Sequence, residues 1–239
     1  MSSIIIPAIL PTSQEDLDTK LLALQGISRN VQIDIVDGRS TGPASWPYVK
    51  KNGHEAAVSA ESFAHLGSLH AEMDLMVDEP EVDMRRFIEL GANRIVVHAE
   101  TVRTLPAIID SFQTQYGHDK DFVPGLLSLG IAVNVGTDLT LIEPYLSRCD
   151  YVQFMGIEHI GKQGQPFDTR VISKITAFRK KHPKMPIQVD GGVSLDTAPA
   201  LLSAGVSRLV VGSALWKMPN VQKAYADFTA LTQRYGLYT

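Results

Sequence analysis

The residues best placed to do chemistry are three aspartates and two glycine turns. Asp190 ends the short β-branched run Ile187-Gln188-Val189 and is followed at once by Gly191-Gly192. About twenty residues on, Leu209-Val210-Val211 ends in Gly212-Ser213-Ala214 in the same way. An apolar strand ending in glycine offers bare backbone N–H groups, and a helix-like segment behind it adds partial positive charge. Two such turns side by side predict a phosphate cradle, with Asp190 at its mouth ready for acid–base work. Asp34 lies two residues from Gln32 in Val31-Gln32-Ile33-Asp34-Ile35, so on a strand both side chains point to one side. Asp74 sits inside Met73-Asp74-Leu75-Met76-Val77. A carboxylate in such an apolar run needs a cation, a proton or several donors. Asp34, Asp74 and Asp190 are expected to converge.

Something must bring them together. Short apolar runs recur at Ile4–Leu10, Val31–Ile35, Met73–Val77, Arg94–Val97, Ile131–Val135, Tyr151–Met155, Ile187–Val189 and Leu209–Val211. They are β-branched and too short for buried helices. Helical patterns lie between them at Glu15–Gln25, Val82–Leu90, Leu139–Leu146, Asp168–Lys181 and Leu195–Ala204. Alternating strand and helix predicts parallel strands with crossover helices. Repetition without a break in composition predicts a closed (β/α)8 TIM barrel as one domain over 1–239. In such a barrel chemistry sits at the carboxyl ends of the strands, and phosphate sits at the loops after the seventh and eighth.

Other candidates are read from the same strand ends. His98 and Glu100 face a substrate or brace loops. His70 falls low in the barrel and is structural. Glu158–Phe167, with Gly161, Gly164 and Gln165, reads as a loop able to close over a ligand. Asp37–Ser59 and Tyr116–Gly125 read as irregular. Arg179, Lys180, Lys181 and Lys184 read as a solvated helix end near its negative pole.

A chain of 239 residues with 44% hydrophobic residues can bury a sizeable core. Its net charge of −4 gives no bulk attraction for nucleic acid. Cys149 is the only cysteine, so an intramolecular disulfide and a multi-thiolate zinc site are both excluded. No apolar run approaches a membrane span, and Met1–Pro7 lacks the basic start of a signal peptide. A cytoplasmic protein without membrane or nucleic-acid partners is expected.

Together the strand ends resemble the ribulose-phosphate 3-epimerase family, nearly end to end from Pro7-Ala8-Ile9-Leu10 to Gly212-Ser213-Ala214. The family's His-x-Asp-x-Met-Asp-Gly is similar to Gln32-Ile33-Asp34-Ile35-Val36-Asp37-Gly38, and its His-Leu-Met-Val to Asp74-Leu75-Met76-Val77. Val97-His98-Ala99-Glu100, Asn134-Val135-Gly136-Thr137 and Val189-Asp190-Gly191-Gly192 are similar to the family's Val-His-x-Glu, Asn-Pro-Gly-Thr and Val-Asp-Gly-Gly. The resemblance implies a (β/α)8 TIM barrel of the ribulose-phosphate-binding type and epimerisation of a phosphorylated ketose at C3 through an enediolate. Asp34 would accept a proton on one face and Asp190 would donate one on the other. It also implies Met76 and Met155 over the enediolate, a divalent metal held by two His and two Asp, and a homo-oligomer.

This chain departs from that pattern. Gln32 and Asp74 stand where the family has histidines, Ala8 and Pro11 where it has serines, and Val36 where it has a methionine. A metal set of Gln32, Asp34, Asp74 and Asp190 offers only oxygen, which favours Mg2+ or Mn2+ over Zn2+. Without an ion, the three carboxylates must share a proton. No organic cofactor is expected. His159 and Lys162 are new polar groups in the closing loop, expected to help bind a different sugar phosphate or to steady the enediolate. Two other readings compete: an aldol-type lyase or decarboxylase on a phosphorylated substrate, and a non-catalytic sugar-phosphate-binding barrel. A related decarboxylase pattern, Asp-x-Lys-x-x-Asp, is not met by Asp34-Ile35-Val36-Asp37, which has no lysine.

Overall fold

Strands buried on both faces must carry apolar side chains outward against helices and still fill the space within. The computed structural model of this chain, which describes residues 4–39, 41–50, 53–100, 105–117 and 127–236, meets that demand with a closed barrel. Its strands are β1 Ile4–Ile9, β2 Asn30–Val36, β3 His70–Met76, β4 Arg94–His98, β5 Ser128–Val133, β6 Tyr151–Met155, β7 Ile187–Asp190 and β8 Arg208–Val211. All neighbours pair in parallel, and β1 closes on β8. Each predicted run is one of these strands. The largest boundary differences are at β3 and β5, which start at His70 and Ser128 rather than at Met73 and Ile131.

The helices are α1 Gln14–Leu24, α2 Pro80–Glu89, α3 Leu105–Tyr116, α4 Arg170–Lys181, α5 Ala198–Ser203, α6 Ser213–Trp216 and α7 Val221–Gly236. In α1, Ser13 caps the start by accepting from the Asp16 N–H at 3.1 Å, and Leu17, Leu21 and Leu24 form its buried stripe. The predicted helix at Leu139–Leu146 is two 3-10 turns, Leu139–Leu141 and Glu143–Arg148. Pro144 lacks the N–H that an α-helix needs there. The one predicted at Leu195–Ala204 shortens to α5, because Ser194 and Thr197 bond each other's backbone N–H groups in a turn ahead of it.

The outward strand residues Ile33, Ile35, Leu75, Val97, Ile131, Phe154, Val189 and Leu209 join Leu17, Phe87, Ile109, Phe178 and Phe228 of the helices in one large apolar cluster. The inward residues form only small apolar groups: Val36, Met76, Val96, Ala132 and Met155 in one, Ile6, Ala8 and Val210 in another. The rest of the interior is buried polar: Gln32, Asp34, Glu72, Asp74, His98, Gln153, Gln188 and Arg208. His70, by contrast, is exposed at the start of β3. No helix among the described residues is long and apolar enough to cross a membrane.

Of the loops expected to be irregular, the one after β2 packs Trp46 edge-on against Phe63, with ring centroids 5.8 Å apart. Its Ser45 hydroxyl accepts from the Val36 N–H and donates to the Asp34 carbonyl, both at 2.9 Å. The end of β2 is thereby clamped beside Asp34. Most of the stretch Tyr116–Gly125 lies outside the described residues; Tyr116 itself ends α3.

Candidate active site

β2, β3 and β7 carry Asp34, Asp74 and Asp190 inward. Register sets Asp34 beside Asp74 and Asp190 beside Met155 and Val210. The three carboxylates converge, each offering an oxygen within 4.8 Å of the others. Asp34 and Asp190 line a pocket at the carboxyl ends of the strands, together with Met76 and Met155. Asp74 is fully buried beneath it, as is Gln32.

One nitrogen ties the cluster together. Gln32 Nε2 donates to Asp190 Oδ2 at 2.7 Å and to Asp34 Oδ1 at 2.9 Å, and lies 3.4 Å from Asp74 Oδ2. Asp74 takes two further contacts, from Gln153 Nε2 at 2.9 Å and from His98 Nε2 at 2.8 Å. Below lies a second polar tier. Gln188 Nε2 donates to Glu72, to Gln153 Oε1 at 2.6 Å and to Gln32 Oε1 at 3.3 Å. Arg208 donates to Gln188 Oε1 at 2.6 Å and pairs with Glu72 at 3.1 Å.

Burial dominates the electrostatics. It raises Asp34 well above the usual carboxylate range, reinforced by the charges of Asp190 and Asp74. It pushes Asp190 up to about 7, with the Asp74 charge adding to it and Gln32 and His98 opposing it. Glu72 is likewise pushed up to about 7 by burial, against the pull of its Gln188 hydrogen bond. Burial alone would lower His98; the charge and hydrogen bond of Asp74 outweigh it and leave the imidazole raised. Near neutral pH the pair at the pocket floor therefore carries a proton to give as well as a charge to accept one.

Three carboxylate oxygens at this spacing could hold a metal ion. The fourth expected ligand is turned away: Gln32 directs its oxygen to Gln188 and its N–H groups into the cluster. An N–H donor repels a cation, so the set does not fit an ion in this arrangement.

Both glycine turns reach the pocket, which Gly191, Gly192, Gly212 and Ser213 line. Gly191 and Gly192 have φ of +99° and +66°, and a Cβ on Gly191 would meet Ile157 Cγ1 at 2.7 Å. Glycine is needed there for backbone and for space. The helix charge expected behind each turn is smaller than the sequence implies. α6 starts directly after Gly212 but is four residues long, and α5 begins only at Ala198.

The loop after β6 lies across the mouth. Gly161, Lys162, Gly164 and Gln165 line the pocket from it. It packs so closely on Gly42 that a Cβ there would sit 2.3 Å from the Gly161 carbonyl oxygen. Gln163 Nε2 reaches the Ala8 carbonyl at 3.4 Å. His159 departs from expectation: it lines a separate recess with Glu158 and Phe167 rather than this pocket. The open alternatives for His98 and Glu100 resolve as bracing. His98 is fully buried on Asp74, and Glu100 accepts from the Asn134 N–H at 2.7 Å and from the Thr137 hydroxyl.

Sequence reasoning missed Gln153, Gln188 and Arg208. A signal was present: Gln188-Val189-Asp190 repeats the spacing of Gln32-Ile33-Asp34, so Gln188 shares the inward side with Asp190.

The chain is similar to the ribulose-phosphate 3-epimerase of Bacillus subtilis, 27% identical over 229 residues, covering 93% of this chain and 96% of that protein. It is similar also to the ribulose-phosphate 3-epimerase of Schizosaccharomyces pombe, 34% identical over 142 residues, covering 59% of this chain and 58% of that protein. Among solved structures, 3-hexulose-6-phosphate synthase from Salmonella typhimurium superimposes with a TM-score of 0.67 at 12% identity, covering 98% of this chain and 100% of that one; this likeness concerns the fold alone. Residues 4–216 match the model of the ribulose-phosphate 3 epimerase family, and the chain belongs to that family.

Proposed function

We propose that this chain, a single barrel domain over 1–239, epimerises a phosphorylated ketose at C3. The observation that carries this reading is the pairing of Asp34 and Asp190. They come from separate strands, face one pocket and are bridged by one amide nitrogen. A C–H beside a carbonyl is a weak acid, so its removal needs a base held close and a site that tolerates the resulting anion. Asp34 takes the proton from one face and Asp190 returns one to the other. The raised proton affinities of the two, caused chiefly by burial, supply one charged and one protonated group at once. Met76 and Met155 pack an apolar, polarisable surface over the enediolate.

The phosphate is held by the turns at Gly191-Gly192 and Gly212-Ser213, with Gly161, Gly164 and Gln165 closing over it. Lys162 is the one cationic side chain among the described residues lining this pocket. It is the natural counter-charge for phosphate or for the enediolate. If the cluster took an ion, its oxygen donors would select Mg2+ or Mn2+ over Zn2+, but only after Gln32 had turned its oxygen inward. No step of the proposed reaction passes through an ion. Asp74, His98 and Gln153 lie below the pocket and hold Asp34 and Asp190 in place through Gln32. A cytoplasmic homo-oligomer acting on a free sugar phosphate completes the reading.

The test is incubation with ribulose 5-phosphate in D2O, followed by NMR. Deuterium at C3 together with a second epimer is expected. Unchanged, unlabelled sugar would overturn the proposal.

A further inference from the structure

Which end of a glutamine amide faces which neighbour can be argued from partners that have no choice. Arg208 is such a partner: a guanidinium only donates. Its Nε lies 2.6 Å from Gln188, so the Gln188 atom facing it is the oxygen. Gln188 Nε2 must then face Glu72, Gln153 and Gln32, and the last two meet it with their oxygens, at 2.6 Å and 3.3 Å. Both amides are thereby forced to turn their NH2 groups toward the aspartates. Gln153 reaches Asp74 at 2.9 Å, while Gln32 reaches Asp190 at 2.7 Å and Asp34 at 2.9 Å. Arg208, Gln188, Gln153 and Gln32 are all buried, so bulk water does not compete for these contacts. Turning Gln32 over would set its NH2 against that of Gln188, opposing like partial charges in a medium that screens them poorly. It would also give up both bonds that Gln32 donates to Asp190 and Asp34.

We propose that Arg208, acting through Gln188, locks Gln32 with its amide nitrogen in the space among Asp34, Asp74 and Asp190 where a ligated cation would sit, so that this centre excludes a divalent ion. Arg208 and Gln188 are positioning residues: they touch no substrate and act through Gln32. The N–H groups of Gln32 do part of what an ion would do, holding the carboxylates together without supplying a Lewis acid. The catalytic consequence rests on the epimerase reading given above; the exclusion of the ion does not.

The experiment separates the two. Full-length protein is dialysed against Mn2+, with Zn2+ and Mg2+ in parallel, and bound metal is counted by atomic emission. The wild type is expected to hold no stoichiometric ion at about 1 mM Mn2+, the weak end of protein sites for hard cations. Gln32→Glu, which swaps the N–H donor for an oxygen, is expected to take up one ion per chain. Gln188→Met adds no ligand but frees Gln32 to turn its oxygen inward. It is expected to bind Mn2+ at least about tenfold more tightly than wild type. Should Gln188→Met fail to fold, judged by thermal melting, the wild type and Gln32→Glu decide between them. Stoichiometric uptake by the wild type, or no gain in Gln32→Glu, overturns the proposal. In a second arm, chelator-treated wild type is assayed for deuterium exchange at C3. Undiminished exchange supports metal-free turnover. Exchange lost on chelation and restored by an added ion overturns this inference but leaves the epimerase reading standing. Absence of exchange under every condition counts against the epimerase reading, while the dialysis still decides the question of the ion.

Discussion

The same eight strands present two surfaces built on opposite rules. Outward they carry Ile33, Ile35, Leu75, Phe154, Val189 and Leu209, which meet helices in one continuous apolar layer. Inward they carry Gln32, Asp34, Glu72, Asp74, Gln153, Gln188, Asp190 and Arg208, each tied to at least one other by hydrogen bond or ion pair. Burial drives both, with different results. Outside, it stabilises the fold by removing apolar surface from water. Inside, it raises the proton affinities of Asp34, Asp190 and Glu72. The difference shows how a fold can hold costly carboxylates: the outer layer supplies the stability, and the interior is left free for chemistry.

The contrast can be broken from either side. The largest effect is expected inside. Asp34→Asn and Asp190→Asn should each lower epimerisation by about 10²–10⁴-fold, the range for losing a general acid or base. Neither should lower the melting temperature, since each removes a carboxyl from a buried, acidic cluster. A coupled assay beside a thermal melt checks both halves. Outside, the pattern should reverse. Phe178, fully buried and 5.3 Å from Phe154 between ring centroids, belongs to the outer layer. Phe178→Ala should cost ~3–5 kcal/mol of stability by denaturant unfolding, with kcat per folded molecule preserved.

Dependence on pH sharpens the same comparison. Asp190 and Glu72 hold their protons up to about 7 when folded, against ordinary values of 3.8 and 4.5. Between those limits the folded state binds more protons than the unfolded one, so stability falls as pH rises. Asp34 and His98, also raised, act in the same sense. The melting temperature should decline as pH rises from about 4 through about 7, and Glu72→Gln should flatten the slope. The smallest effect is expected at the pocket rim. Lys162→Met should raise KM for the sugar phosphate about tenfold with little change in kcat, the signature of lost uniform binding.

Much of this was legible in the sequence, for a physical reason. The alternation of a strand fixes which residues share a side, so Gln32 and Asp34 could be assigned to one face from their spacing alone. The glycines at 191 and 192 could be read as turns because φ near +99° and +66° admits little else. Helices were less legible. α3 and α7 lie outside the predicted helices although Leu105, Ile108, Ile109 and Phe112 in one and Ala224 and Phe228 in the other are buried at helical spacing, while Pro144 interrupts a stretch whose apolar spacing is helical. His98 could not be assigned, because bracing and substrate contact ask for the same residue at the same strand end. The orientation of Gln32 was beyond sequence reasoning altogether. It depends on Arg208 in β8, reached only through Gln188 in β7.

The central claim is that Asp34 and Asp190 serve opposite faces of one carbon, and one measurement addresses it most directly. Each Asp→Asn variant is incubated in D2O with ribulose 5-phosphate and, separately, with its C3 epimer xylulose 5-phosphate. Label at C3 is then followed by NMR. Each variant is predicted to wash deuterium into only one of the two sugars and return it without inversion, with Asp34→Asn and Asp190→Asn choosing opposite epimers. If both variants exchange both sugars, or both still interconvert them, the two-sided assignment is wrong.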